Sequence, residues 1–264
     1  MEEKLEKIKT EPILITRFED IREPVDINPT VDDFVSVFDN EEYRKHFFEE
    51  AKYSFEFALD KEKFIDNIQQ EPNKESFKYL KKIRRLGLIL KAAYRFVDSG
   101  HKCGKSLDVF TRLLGEFNDS YWVAHSKEKV DEIVDMIDGL DFSVDFIDTS
   151  DFKEYALDLL SEVEDLLEKN ELPIKKFHSL RKKLRNFSNF MQVLAAENYG
   201  KASHWLFYSI LQLSTELGDA HDDLVQKGLK GEINYHESVV KINPQVATEF
   251  KKLKPFIEKV YGLV

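Results

Sequence analysis

Two segments of the chain concentrate cationic side chains at helical spacing. The cations recur every three or four residues, so most of them fall on one face of an α-helix. Residues 74–85 carry six candidates, which are Lys74, Lys78, Lys81, Lys82, Arg84 and Arg85. Residues 178–185 carry four more, which are His178, Arg181, Lys182 and Arg185. Arginine suits bidentate phosphate contacts and lysine supplies a point charge, so this pattern predicts a polyanion-binding site.

The local positive charge runs against the charge of the whole chain. The 264 residues include 39 Lys or Arg and 50 Asp or Glu, which gives a formal net charge of −11. Residues 74–105 nevertheless hold ten cations against two acids, and residues 172–196 hold six cations and no acid. Because the bulk charge repels polyanions, the distribution matters more than the sum. The alternative is a solvated helix face that the surplus acids neutralise.

A second pattern, L-G-acid-x-x-D, follows each basic segment, at residues 114–119 and again at residues 217–222. Glycine inside a helix costs about 1 kcal/mol relative to alanine, so Gly115 and Gly218 are expected to permit close helix approach. The acids of this pattern are expected to pair with the basic helices or to act as ordinary helix-terminal acids. These acids are Glu116, Asp119, Asp219 and Asp222.

Helical spacing of apolar residues dominates from residue 41 to residue 261 and predicts an all-α protein without a βαβ rhythm. The two basic helices are predicted over residues 74–97 and 174–198, and a final pair of helices within residues 236–261. Residues 139–150 alternate apolar with polar side chains, which predicts a short strand or an extended linker. Apolar stripes are expected opposite the basic faces, at Tyr79, Leu80, Ile83, Leu86, Leu90, Leu180, Leu184, Phe187, Met191 and Leu194.

The two basic helices and the two L-G segments occur in the same order, which suggests an internal duplication. An offset of 104 residues superposes Lys78 on Lys182 and Lys81 on Arg185, and the L-G segments then match with a one-residue slip. We therefore expect an N-terminal extension over residues 1–38 and a helical domain over residues 39–264. Its halves would cover about 39–138 and 151–264. Chance alignment of two amphipathic helices is the alternative.

Residues 177–185, FHSLRKKLR, resemble the His-x-x-Arg-x-x-x-basic helix of the conserved-histidine α-helical domain (CHAD) family. Residues 114–119 and 217–222 resemble the L-G-x-x-x-D segment of that family, and residues 81–84 resemble its basic-basic-Leu-Arg stretch. The resemblance covers roughly residues 40–264. It implies two pseudo-symmetric four-helix bundles whose basic helices line a central cleft or pore. The family binds inorganic polyphosphate there and is not a recognised catalyst.

Composition predicts a cytoplasmic protein. The single cysteine, Cys103, excludes an intrachain disulfide and fits a reducing compartment, and no apolar run approaches the roughly 20 residues of a membrane span. Polyphosphate granules are a candidate site of association, and no cofactor is expected. Nucleic acid is a weaker candidate ligand, because no basic-aromatic stacking platform is visible.

Two further functions compete with polyanion binding. An enzyme of the metal-dependent phosphohydrolase type would use His204, His221, Asp222 and Asp223, yet adjacent helical residues point about 100° apart and one His-Asp pair cannot build a metal site. A protein-interaction scaffold would use the acidic stretch over residues 131–168 as its docking surface.

Overall fold

The computed structural model describes residues 24–69, 73–119, 127–196, 200–235 and 237–264. Most of these residues are helical, which confirms the predicted all-α class. Within the predicted N-terminal extension, residues 1–23 lie outside the described part, and a single 3-10 turn covers Val31–Asp33. The helices are α1 Glu41–Ala58, α2 Lys61–Gln69, α3 Lys74–Val97, α4 Lys105–Asp119, α5 Lys127–Ile137, α6 Thr149–Leu167, α7 Ile174–Ala196, α8 Gly200–Leu229 and α9 Pro244–Tyr261.

The two basic helices begin and end close to their predicted bounds. At the start of α3, the Asn73 side chain accepts hydrogen bonds from the backbone N–H groups of Glu75 and Ser76, which satisfies two donors that no helical carbonyl reaches. The helix ends at Val97, as predicted. The second basic helix, α7, begins at the predicted residue, Ile174, and is helical through Ala196.

A two-stranded antiparallel sheet is the departure from a purely helical chain. Strand β1, Glu171–Pro173, pairs with β2, Val239–Lys241, so that Leu172 lies opposite Val240. Strand β2 and the single helix α9 replace the predicted pair of helices within residues 236–261, so that prediction was wrong. Because β1 leads directly into α7, the pairing holds the segment after α8 beside the start of α7.

The linker over residues 139–148 is extended and joins the two groups of helices. It makes one isolated bridge, between Phe146 and Asp98, and the Ile147 N–H donates to the Val97 carbonyl over 2.9 Å. The alternation of this segment therefore corresponds to an extended linker that runs along the end of α3.

Helices α6, α7, α8 and α9 pack in a closed ring, in which α6 and α8 each contact both α7 and α9. In the preceding part of the chain, α3 contacts α1, α2 and α4, and α5 packs on α2 and α4. Helix α3 also packs on α7 and α6, so the contact between the two basic helices connects the two groups.

Phe190 of α7 lies at the centre of an aromatic cluster and is fully buried. Its ring centre is 3.8 Å from that of Phe96 on α3 and 4.6 Å from that of Phe47 on α1. Phe38 and Tyr261 complete the cluster at 4.0 Å and 5.6 Å. Aromatic rings bury large apolar areas, so this cluster fixes α7 against α3 from the side opposite the cations.

Arg44 on α1 is a buried cation that binds backbone carbonyls. Its Nη1 donates to the Phe38 carbonyl over 2.6 Å and its Nη2 donates to the Ile147 carbonyl over 3.2 Å. The guanidinium carbon is 4.7 Å from the centre of the Phe152 ring. Burial lowers the pKa of Arg44. The side chain thus joins the segment before α1 to the linker before α6.

Replacing Arg44 with methionine is expected to destabilise the fold by about 2–4 kcal/mol, because two buried carbonyls would lose their donor. Urea unfolding followed by circular dichroism measures the change. Arg112→Met is the matched control, because Arg112 makes an exposed pair with Glu116 at 2.7 Å and should contribute less than about 0.5 kcal/mol. Equal losses in the two variants would contradict the role of Arg44.

Candidate functional site: a basic patch between two helices

Cations from the two basic helices gather where α3 and α7 cross. We call this group the central basic patch, and its members are Arg84, Arg85, Lys91 and Arg95 on α3 and Arg181, Lys182 and Arg185 on α7. The helices cross in opposite directions: Arg85 Nη2 donates to Gln192 Oε1 over 3.0 Å, whereas Lys182 lies within electrostatic reach of Arg95. The apolar stripes predicted on the opposite faces are buried, except for the half-buried Tyr79, which confirms the orientation of both helices.

Lys182 shows how closely the two helices bring their charges together. Burial lowers the pKa of Lys182, and the nearby positive charges of Lys91, Arg185 and Arg95 lower it further. The neighbouring carboxylate is Asp108 on α4, which Lys91 contacts at 2.5 Å. Positive charges that depress the pKa of another cation are close enough to repel it, so the patch is a point of electrostatic stress.

Arg185 reports the same crowding at the middle of the patch. Burial lowers its pKa first, followed by the charges of Arg181 on the same helix and Arg84 on α3. Asp222 acts in the opposite direction. Guanidinium groups from both helices therefore act on one another, which is the arrangement that a bound anion would relieve.

Each glycine of the L-G pattern faces an arginine of the preceding basic helix. A Cβ atom at Gly115 would lie 2.7 Å from Arg84 Nη2, so only glycine lets this guanidinium rest on α4. A Cβ atom at Gly218 would lie 3.7 Å from Arg181 Nε, which is ordinary contact. What approaches each glycine is an arginine side chain, whereas the sequence had suggested close helix approach.

His178 and His221 form a pair beside the patch. His178 Nδ1 lies 3.2 Å from His221 Nε2, and Tyr235 Oη lies 3.0 Å from the same His221 atom. The other ring nitrogen of His221, Nδ1, is 3.2 Å from Arg181 Nη1 and 3.2 Å from Asp222 Oδ1. The imidazole of His221 is buried, whereas the side chain of Asp222 keeps 71% of its surface exposed.

The surroundings of His178 favour its neutral ring at pH 7. Burial, followed by the charges of Lys182, His221, Arg181 and Arg185, lowers its pKa to about 4. A neutral imidazole has one nitrogen that accepts a hydrogen bond, so His178 can serve as an acceptor inside a cationic region.

Four of the predicted candidates lie toward the beginning of α3. Lys78 pairs with Glu75 at 3.2 Å, and Lys81 Nζ sits 4.1 Å from the centre of the Phe77 ring. Lys74 is exposed and Lys82 is half-buried. From Lys74 to Lys91 the helix rises by roughly 25 Å, so Lys74 lies far from the crowded centre of the patch, whereas Lys81 and Lys82 are within about one helical turn of Arg84 and Arg85.

Sequence reasoning missed several residues of this region as site residues. Lys91 and Arg95 continue the spacing of Arg84 by seven and eleven residues, which is a signal that the sequence contained. Gln192 and Tyr235 gave no signal, because their roles depend on helix crossing and on the β1–β2 pairing. His221 was considered only as part of a metal site.

The acids of the L-G pattern do not behave alike. Asp222 reaches across to α7, where its Oδ1 lies 4.0 Å from Arg181 Nη2. Glu116 pairs with Arg112 on its own helix at 2.7 Å. Asp219 is exposed, and the side chain of Asp119 lies outside the described part. Asp222 therefore has the predicted pairing with a basic helix.

The residues of the competing metal site are spread along α8. His204 and His221 are 17 positions apart on this helix, so roughly 25 Å of helical rise separates them and one metal ion cannot bind both. Among the described residues, no group of three or more His, Cys, Asp or Glu side chains is arranged to hold a metal ion. Within the same part of the chain, no helix has the length and apolar character needed to cross a membrane.

No protein-family model, curated protein or solved structure matches the chain.

The two glycines should respond differently to alanine. Gly218→Ala is expected to be neutral or to stabilise the fold by up to about 1 kcal/mol, because helix propensity rises and a Cβ atom fits. Gly115→Ala should lose that gain, since Arg84 must move away. Urea unfolding of both variants measures the difference, and an equal gain at Gly115 would show that Arg84 is not held there.

His178 should make the fold less stable in weak acid. The unfolded chain binds a proton at this residue with a pKa of about 6.5, whereas the folded chain binds it only with a pKa of about 4. Stability from this group is therefore fully present above about pH 6.5 and is lost as the pH falls toward 4. The free energy of unfolding of His178→Asn, measured by urea unfolding, should fall less steeply with decreasing pH than that of the wild type. An equally steep fall in both proteins would contradict the lowered pKa of His178.

Proposed function

We propose that the chain binds inorganic polyphosphate, or a similar polyanion, at the central basic patch and does so without catalysis. The observation that carries this proposal is the crowding of cations from two separate helices in a protein of net charge −11. Each repulsive pair costs free energy, and a row of phosphates lying across the crossing of α3 and α7 would convert that repulsion into attraction.

The chemistry of the patch suits phosphate in particular. Its central members are arginines, whose planar guanidinium groups make two parallel hydrogen bonds to phosphate oxygens. Arg84 is seated on Gly115, and Arg85 is oriented by the buried Gln192, so part of the patch is already ordered before a ligand arrives. Ordering in advance lowers the entropy cost of binding.

The proposed duplication also supports this function. Arg181 follows Arg84 by 97 residues, and each faces the glycine of its own L-G segment. At the same offset, Arg85 corresponds to Lys182 and Arg95 corresponds to Gln192. The contact of Arg85 with Gln192 therefore corresponds to the neighbouring pair Lys182 and Arg95. For the basic helices we therefore prefer an offset of 97 to the 104 suggested by sequence, although the two glycines are 103 residues apart. The CHAD resemblance points the same way, because it implies two related halves around a polyphosphate site.

The scaffold alternative receives less support from the acidic helix α6. Several of its carboxylates are already used inside the molecule. Glu162 pairs with Lys183, Glu164 with Lys254 at 2.8 Å, and the neighbouring Glu168 with Lys251 at 3.0 Å. These pairs bind α6 to α7 and α9, so this part of the acidic surface has a structural role.

Titration calorimetry with inorganic polyphosphate of defined chain length tests the proposal. The wild-type chain should bind at low ionic strength, with an affinity that falls steeply as salt is added. Replacing Arg181 and Arg185 together with glutamate should weaken binding by about 100-fold or more, because two charge-assisted contacts are lost and reversed.

The control variant replaces Lys251 and Lys252 on α9 with glutamate, which changes the net charge by the same amount. These lysines pair with Glu168 and Glu249 on an exposed face, so polyphosphate affinity should change little. Absence of binding by the wild-type chain at low salt, or equal weakening in the two double variants, would exclude the central basic patch as the site.

A further inference from the structure

The histidine pair beside the patch controls where the Arg181 guanidinium can bind. An arginine only donates hydrogen bonds, so the 3.2 Å contact of Arg181 Nη1 requires an unprotonated Nδ1 on His221. The proton of the neutral His221 ring then resides on Nε2. From there it is donated toward His178 Nδ1 at 3.2 Å, with Tyr235 Oη 3.0 Å away.

Asp222 offers the opposite arrangement at the same atom. Its Oδ1 lies 3.2 Å from His221 Nδ1 and can only accept, so this contact is a hydrogen bond when Nδ1 carries a proton. His221 Nδ1 therefore has two neighbours that require different protonation states. The neutral ring binds Arg181, and the protonated ring binds Asp222.

We propose that protonation of His221 releases Arg181 to the bound anion, so that anion binding at the central basic patch is coupled to the uptake of one proton. The inference rests on the proposed function and describes its regulation. One proton from solvent adds to His221 Nδ1, the new N–H donates to Asp222 Oδ1, and Arg181 Nη1 loses its acceptor. Arg181 Nη2 lies 4.0 Å from the same carboxylate oxygen, and the new N–H competes with this weaker contact. The Nε2 proton of His221 remains between the two rings, and no other bond forms or breaks.

His178 is suited to its part in this arrangement. It must stay neutral to accept the Nε2 proton of a charged His221, and its burial and cationic neighbours favour the neutral ring. The groups that act on His178 are Lys182, Arg181 and Arg185 on its own helix, and His221 on α8. The groups that contact His221 are Arg181 and His178 on α7, Asp222 on α8, and Tyr235 after α8. An anion bound at these cations would place negative charge close to a protonated His221, which makes the two events favour each other.

Coupling between two binding events is reciprocal, so a proton that strengthens anion binding must itself be bound more tightly when the anion is present. For one linked proton, polyphosphate affinity should rise by up to about tenfold per pH unit as the pH falls through the range in which histidine titrates. Histidine titrates between about pH 5 and pH 8, where the interior phosphates of a long polyphosphate remain ionised.

Calorimetry with long-chain polyphosphate at constant ionic strength, repeated across this pH range in buffers of different ionisation enthalpy, gives the affinity and the number of protons taken up. The wild-type chain should take up close to one proton near the middle of the range. Nitrogen-15 spectra of labelled histidine should show His221 Nδ1 unprotonated at high pH and protonated in the complex at low pH.

Asp222→Asn tests the relay, because asparagine keeps the shape and removes the charge that holds the new N–H. Removing a negative charge near an anion site would by itself favour binding at every pH. The proposal expects instead that the gain in affinity at low pH, and the proton uptake, are greatly reduced. Asp223→Asn is the matched control, since Asp223 is the adjacent exposed acid and pairs with Lys227 at 2.7 Å; it should keep the wild-type pH profile.

Two results would overturn the inference. One is polyphosphate binding with the same pH dependence in wild type, Asp222→Asn and His221→Gln. The other is a pH dependence that survives in His221→Gln and disappears in His178→Asn. That result would show that the linked proton binds to His178 and not to His221. Either result leaves polyanion binding intact, whereas absence of binding at every pH contradicts both the inference and the proposed function.

Discussion

The crossing of α3 and α7 is the constraint from which the basic patch follows. Each helix has one apolar stripe and one cationic face, and the stripes meet the aromatic cluster around Phe190. Burial of these rings contributes several kcal/mol, whereas each repulsive contact between partly solvated cations costs a few tenths. The free energy gained by apolar packing therefore exceeds the cost of charge repulsion, and this packing places the cations of both helices in one shared region. The electrostatic stress of the patch is a consequence of how the core is built.

Acidic residues elsewhere in the chain do little to relieve this stress. Many of them are held by other cations, as in the pairs of Lys254 with Glu164 and Lys61 with Asp138. Within the patch, Asp108 contacts Lys91 at 2.5 Å and Asp222 lies 4.0 Å from Arg181 Nη2, so these two carboxylates offset only part of the charge of its seven cations. A net charge of −11 is thus compatible with a strongly positive region, because screening confines surface charges to a range of about 8–10 Å.

The sequence predicted the helical class and the faces of the basic helices because both depend on the period of the α-helix. It could not predict how the two basic helices correspond. Offsets of 97 and 104 differ by seven residues, which is close to two helical turns, so each superposes one apolar stripe on the other. The spacing of the two L-G glycines, which is 103 residues, favours 104, whereas the contacts of Arg84 and Arg181 with those glycines and of Arg85 with Gln192 favour 97 for the basic helices. The contact of Tyr235 with His221 could not be predicted from the sequence either, since a pairing of two three-residue strands brings Tyr235 close to the histidines.

The two basic helices differ at the point where regulation would enter. At the proposed offset of 97, His178 corresponds to Lys81, so α3 has a lysine where α7 has an imidazole ring. Arg84 rests against Gly115 with no room for a Cβ atom, whereas Arg181 has ordinary space above Gly218. Arg84 is therefore fixed by packing, whereas Arg181 is held by its contacts with His221 at 3.2 Å and Asp222 at 4.0 Å, and the first of these is lost in the proposed protonation. If both arginines were fixed, protonation could change the charge of the site but not its geometry. Because only one is fixed, a pH-dependent ligand affinity requires no movement of the helices and only the release of one side chain.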